Sequence, residues 1–327
     1  MFGKKKAKTI YQVPQVMKQG PATPWLYLAP ALFVMALFIV YPMFNTISLS
    51  FKNADGTASA ATMCVENEPC WGIFENYRYA LTNELDLSSP QTAWKTFWQS
   101  SYGNNLKWIF IMVTGTVSLG LLIALLADRV KYESLAKAII FMPMAISFVG
   151  AGIIWGFVYD YGTQQVQVGL LNAIVTALGG EPVAFLSTPG LNTIALIAVG
   201  IWMWTGFCMT ILSASLKSVP EEIIEAARVD GASEWRVFWN IMLPIIMPTV
   251  AVVITVMVIN VLKIFDIVYV MTGGNFGSEV MANRMYTEMY INFNGGRGTA
   301  IAVVLIVVMI PFMIFNVRRF REQEAMR

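Results

Sequence analysis

The chain has 327 residues, of which 57% are hydrophobic and only 13% charged, with a formal net charge of +2. Soluble domains carry about a quarter charged residues, so this composition is that of a polytopic membrane protein and excludes an ordinary soluble globule. Histidine is absent, which removes His-based metal sites and Ser-His or Cys-His catalysis, and no G-x-x-x-x-G-K-[ST] motif is present to form a nucleotide P-loop.

About 20 mostly apolar residues cross a bilayer, and six segments qualify: 25–49, 106–127, 138–159, 191–216, 244–271 and 299–317. The predicted fold is all-α, a polytopic membrane protein of six transmembrane helices. Residues 1–24 form an N-terminal segment, 25–49 the first helix and 50–105 an outer loop. Residues 106–317 form a five-helix core containing the loop 217–243, and 318–327 form a tail. The first apolar run is too long for a cleaved signal peptide, and Ala58-Ser59-Ala60 lies too far beyond it to serve as a cleavage site. With the N-terminus placed in the cytoplasm, fifteen Lys and Arg fall on that side and five on the other, while Lys107 and Lys263 fall within spans. The excess puts both termini and the 217–243 loop in the cytoplasm. Lys4-Lys5-Lys6 then serves as an orientation signal.

In the outer loop, Cys64 and Cys70 can form a disulfide if the compartment is oxidising; the alternative is two free thiols. Trp94, Trp98, Tyr102 and Trp108 read as an aromatic belt at the outer membrane face. In the third span Gly152-x-x-x-Gly156 permits close helix contact. The fourth carries Trp202, Trp204 and Phe207, rings on which the C–H face of a pyranose packs. It also carries Cys208, read as a small packing residue.

The 217–243 loop is polar between two apolar runs. Pro220 suits the first turn of a helix, with Glu221 and Glu222 near its positive end. Asp230-Gly231 is a turn signal, Ser233 caps a second helix, and Trp235, Phe238, Trp239 and Met242 give that helix one apolar face. Pro244 then opens the fifth span. Taken by itself, the pattern fits either a docking surface or an amphipathic helix that anchors the loop at the membrane. On the fifth span Asn260, Lys263 and Asp266 fall three apart on one face. Intramembrane polar groups are expensive and mark functional candidates. They line a polar path or form an internal ion pair.

Glu225-Ala226-Ala227, then Gly231, then Ile241-x-Leu243-Pro244 fill every position of E-A-A-x3-G-x9-I-x-L-P. This resembles the "EAA" loop of ABC importer permeases, a likeness that extends from the second span to the C-terminus. It implies a type I ABC importer permease fold. The first loop helix is then a coupling helix that docks into a separate ATPase, Glu225, Ala226, Ala227, Asp230 and Gly231 form the docking and turn residues, and nucleotide chemistry belongs to the partner. Residues 262–275 resemble F-D-x-x-Y-x-x-T-G-G-G-P of maltose-type carbohydrate permeases, with Asn275 where proline is common and one glycine fewer. Positions matching that family's sugar contacts include Trp204 and Phe207, and also Met257, Val261 and Ile264. The last three are apolar here, so the family's hydrogen-bonding pattern does not carry over.

The resemblance implies a carbohydrate import subunit in a bacterial inner membrane, not an enzyme and binding no cofactor or metal itself. Its partners would be a second permease, as copy or paralogue, two cytoplasmic ATPase subunits holding ATP and Mg, a periplasmic sugar-binding protein, and membrane lipid. Nothing points to nucleic acid. The competing readings are an ABC permease for a non-sugar substrate and an ion-coupled secondary transporter using Lys263 and Asp266. No inverted repeat of broken helices supports the second.

Overall fold

The computed structural model describes residues 23–65, 68–128, 130–162 and 169–325; Lys4-Lys5-Lys6 lies outside them. The described residues form helices and the loops between them, with one isolated β-bridge between Lys52 and Ser59. The chain divides into two units, Met1–Thr46 and Ile47–Arg327.

Helix α1, Thr23–Leu49, carries a π-turn at Ala36–Val40 just ahead of Pro42. Proline has no N–H for the carbonyl four residues back and its ring crowds that carbonyl, so a widened turn lets the helix continue.

In the second unit α2 is Glu75–Thr82 and α3 is Pro90–Gln99, the latter opened by a capping box between Ser89 and Thr92. Helix α4 is Ser101–Ala127. The third predicted span is two helices, α5 (Glu133–Ala145) and α6 (Phe148–Val158), bent by 98°. Pro143 draws the end of α5 into a tight 3-10 turn, Ile146 and Ser147 are extended, and the Ser147 hydroxyl accepts from the Gly150 N–H at 3.0 Å to start α6 afresh. The expectation of one straight helix over 138–159 is thereby corrected. Helix α7 (Leu170–Ala177) follows, then the long α8, Leu191–Leu216, which is the axis of the core.

After α8 comes α9, Glu221–Val229, and then α10, which runs unbroken from Glu234 to Leu262. The separate short helix expected before Pro244 is therefore the first part of the fifth span. A π-turn at Phe238–Met242 again accommodates the proline. Helix α10 stops at Leu262, and α11 is Asp266–Met271. Helix α12, Met281–Tyr286, continues through a π-turn to Ile291. Helix α13, Gly295–Ala325, continues past the predicted end at 317 into the predicted tail. Among the described residues, with the bent pair taken as one, six segments are long and apolar enough to cross a membrane.

Small residues set the helix spacing. A Cβ on Gly206 of α8 would stand 2.5 Å from the Ile140 carbonyl oxygen, and one on Gly120 of α4 would stand 2.7 Å from the Cys208 Cβ. Of the Gly152/Gly156 pair, only Gly152 meets a neighbour, Val270 of α11. Trp108 is fully buried, so it belongs to the core and not to an aromatic belt; Trp94 is exposed.

Opposite the end that carries α9, the segments around α2, the start of α4, and α12 interlock through polar side chains. The Arg284 guanidinium donates to the Ala80 and Tyr79 carbonyls at 2.9 and 3.1 Å and lies 3.3 Å from Glu84. The Tyr79 hydroxyl donates to Glu288 at 2.7 Å, beneath the Arg297 guanidinium at 3.9 Å from its ring. Asn104 donates to the Gly277 and Glu279 carbonyls. Buried polar groups need such partners, and here they order long loops that have little apolar surface to bury. Cys64 and Cys70 are paired in this region, with Cα atoms 5.7 Å apart, inside the range a disulfide spans.

Candidate functional site

Two places bring the predicted site residues together: the helix–turn–helix around α9, and a cavity within the bundle between the middle of α8 and the C-terminal end of α10.

Helix α9 has no buried residue, and Glu225 and Ala226 are exposed on it. Pro220 is its N-cap, one position earlier than the first-turn place the sequence predicts. The helix ends in a Schellman motif: the Ala232 N–H donates to the Ala227 carbonyl and the Gly231 N–H to the Arg228 carbonyl, both at 3.0 Å. Gly231 holds φ at +78°, the left-handed conformation that glycine adopts without a Cβ penalty, and Asp230 is the C-cap. The Ser233 hydroxyl accepts from the Arg236 N–H and caps α10. Across the turn, Arg228 donates to Glu234 at 2.7 and 3.2 Å, a two-point contact that fixes the angle between the helices. The Glu234 carboxylate also raises the Arg228 guanidinium above its ordinary range. Trp235, Phe238, Trp239 and Met242 do share one apolar face, lining a groove of about 500 Å³ against Leu121, Leu122 and Leu125 of α4.

A cluster that sequence reasoning missed connects this loop to the bundle. Lys137 of α5 lies 2.5 Å from Asp128, at the end of α4, and 2.6 Å from Glu133. Lys137 also donates to Ser213 of α8, whose hydroxyl donates to Asp128 at 2.8 Å. Lys217, at the C-terminus of α8, pairs with the same Glu133. The i,i+4 spacing of Glu133 and Lys137, flanked by single charges at neighbouring span ends, was the available signal. The cluster pins α4, α5 and α8 together where the chain enters α9.

The fifth span breaks where the sequence predicts one continuous helix. The last turn of α10 tightens, with the Lys263 and Ile264 N–H groups donating three residues back to Asn260 and Val261. Phe265 is non-helical, and Asp266 starts α11. Asn260, Lys263 and Asp266 therefore do not share one helix face. They meet for another reason: the break lines a cavity of about 230 Å³, together with Trp204, Phe148 and Met112. Irregular backbone at membrane depth is tolerated where it lines a cavity or is enclosed by protein. Among the described residues neither Lys263 nor Asp266 enters an ion pair, so the internal-pair reading has no contact behind it. Trp204 stacks on Phe148 at 6.1 Å and meets Phe207 edge-on at 5.5 Å. Phe207 thus stands behind the cavity wall and does not line it. Met257 and Val261 are fully buried in the core, whereas Ile264 faces the cavity.

Residues 116–319 match the family described as "Binding-protein-dependent transport system inner membrane component". The chain belongs to this family. It is an ABC transporter permease subunit, a membrane-spanning transport component.

The permease is 48% identical over 304 residues to the osmoprotective compounds uptake permease protein GgtC of Synechocystis sp., covering 92% of this chain and all of that one. It is 44% identical over 297 residues to the alpha-glucoside transport system permease protein AglF of Rhizobium meliloti, covering 90% and 81%. The trehalose/maltose transport system permease protein MalF of Thermococcus litoralis is 31% identical over 301 residues, covering 91% and 94%. The permease also shares its fold with a chain in the crystal structure of a bacterial ABC transporter involved in the import of the acidic polysaccharide alginate. That likeness has a TM-score of 0.71 at 21% identity, covering 91% of this chain and 95% of that one.

Proposed function

We propose that the permease is one transmembrane subunit of an ATP-driven importer of small carbohydrates, an α-glucoside or a related di- or oligosaccharide. One observation carries the coupling part of this reading: the exposed α9 joins α8 to α10, the two spans that supply Trp204 and Asn260 to the cavity. A rigid lever between those spans moves the cavity walls when it is pulled at its far end. The substrate class rests on the relatives named for alpha-glucosides and for trehalose and maltose, and on a cavity that offers an aromatic face beside an amide, an ammonium and a carboxylate.

In this reading the loop lies in the cytoplasm with both termini, as the fifteen-to-five distribution of Lys and Arg supports. Helix α9 docks on an ATPase through Glu225, with Ala226 and Ala227 allowing close approach. Two ATPase subunits hold ATP and Mg, a second permease closes the path, and a periplasmic binding protein delivers the sugar to the opposite face. The permease itself holds no cofactor and catalyses no reaction. ATPase closure draws the coupling helices together and tilts α8 and α10. Cys64 and Cys70 face the oxidising side as a disulfide.

The test is uptake into proteoliposomes that contain the complex purified from its native membrane, with ATP at the loop side and the binding protein at the other. Radiolabelled maltose, trehalose and sucrose are the probes. ATP-dependent accumulation of at least one supports the reading. Accumulation that does not need ATP, or none of any of the three, contradicts it.

A further inference from the structure

The cavity has an unassigned approach. Phe265, at the break after α10, lines it. The Phe265 ring stacks on Tyr269 of α11 at 5.1 Å and touches Tyr286 of α12 at the same distance. Tyr286 meets Tyr269 at 5.0 Å and Tyr290 at 5.1 Å. Four rings therefore run in unbroken contact from the cavity to Tyr290. The strip is not sealed inside the protein: Tyr269 is 40% and Tyr290 59% exposed. Its two halves come from different elements: Phe265 precedes α11, which carries Tyr269, and Tyr286 ends α12 ahead of Tyr290 in the π-turn.

We infer that Phe265, Tyr269, Tyr286 and Tyr290 form a stacking track for saccharides between the side opposite α9 and the cavity. The inference rests on the carbohydrate reading above. A pyranose presents an apolar C–H face and a rim of hydroxyls. A tyrosine presents an apolar ring face and one hydroxyl that both donates and accepts. Three of the four rings are tyrosines and carry a hydroxyl at the stacking position; the fourth, Phe265, lines the cavity with Lys263 and Asp266. A surface made only to meet lipid chains gains nothing from those hydroxyls. Stacking is tolerant of which sugar face it meets, so a ladder of rings holds a sugar weakly at successive positions. At the inner end the track meets Lys263 and Asp266, charged partners that hold sugar hydroxyls by stronger, directional hydrogen bonds.

The experiment measures equilibrium binding of radiolabelled maltose, trehalose and sucrose to the purified complex, with and without a non-hydrolysable ATP analogue. Wild type is compared with Tyr290→Leu, Tyr290→Phe and Tyr286→Leu. Leucine keeps an apolar side chain and removes the ring; phenylalanine keeps the ring. The track predicts that Tyr290→Leu weakens binding about fivefold, an effect of the size of one aromatic contact, and that Tyr290→Phe recovers most of the loss. Yield and melting temperature of the complex stay at the wild-type level, because Tyr290 is a surface residue. Unchanged binding in both leucine variants overturns the track, as does a Tyr290→Phe variant no better than Tyr290→Leu. Wild type binding none of the three sugars overturns the carbohydrate reading and the track with it, an outcome read without any variant.

Discussion

Gly231 holds its positive φ with open space where a Cβ would stand. Alanine there meets backbone strain without a clash, at a cost of about 1 kcal/mol. We predict faster amide exchange over 221–234 in Gly231→Ala, with the rest of the bundle unchanged; unaltered exchange would show that the turn does not depend on this glycine. Asp266 stands at the cavity without an ion-pair partner among the described residues. Asp266→Leu should lower the uptake rate with normal expression, and an unchanged rate and affinity would leave it only a packing role. The turn at Gly231 and the cap at Ser233 were legible in sequence because each depends on one residue's local chemistry. The gathering of Asn260, Lys263 and Asp266 was legible as a list of polar residues but not as geometry. A three-residue spacing assumes an unbroken helix, and the turn that ends α10 is set by tertiary packing around the cavity.

At the level of elements, the spans themselves could be read from hydropathy, which needs only length and composition. Their interruptions could not. Pro143 is followed by a bend, whereas Pro42 and Pro244 are absorbed by π-turns. The same residue type gives opposite outcomes, so the proline alone does not decide between bend and continuation. The bend after Pro143 is held by the close passage of Gly206 against the Ile140 backbone. Gly206→Leu should therefore abolish recovery of a monodisperse protein by size-exclusion chromatography, and normal recovery would mean that α5 moves freely there. The charge cluster at the α9 end makes a second prediction. Lys137→Met removes the ammonium that Asp128 and Glu133 share, leaving Glu133 with Lys217, and should destabilise the bundle by about 1–2 kcal/mol, less than for a fully buried pair since the side chains are partly exposed. Thermal unfolding of Lys137→Met, Asp128→Asn and the double variant should show non-additive losses. Additive losses would mean that the two groups act independently.

Across the whole molecule, one end is built for rigidity and the other for exposure. The interlocked polar side chains around Arg284 order the loops opposite α9, where the proposal places the binding protein and the Cys64–Cys70 disulfide. The α9 end presents a helix with no buried residue, bound to the bundle through its neighbours. This asymmetry fits a subunit that receives substrate on a formed surface and force on a protruding lever. In the proposed reading α9 is the seat of an ATPase. The most direct measurement is mass spectrometry of what co-purifies in mild detergent with the tagged chain, as wild type and as Glu225→Arg, alongside ATP-dependent uptake. That reading predicts a soluble ATPase and a second six-span chain with wild type, and an inserted Glu225→Arg chain that loses the ATPase and all uptake. Absence of any ATPase from wild type, or normal uptake by a well-expressed Glu225→Arg chain, would contradict it.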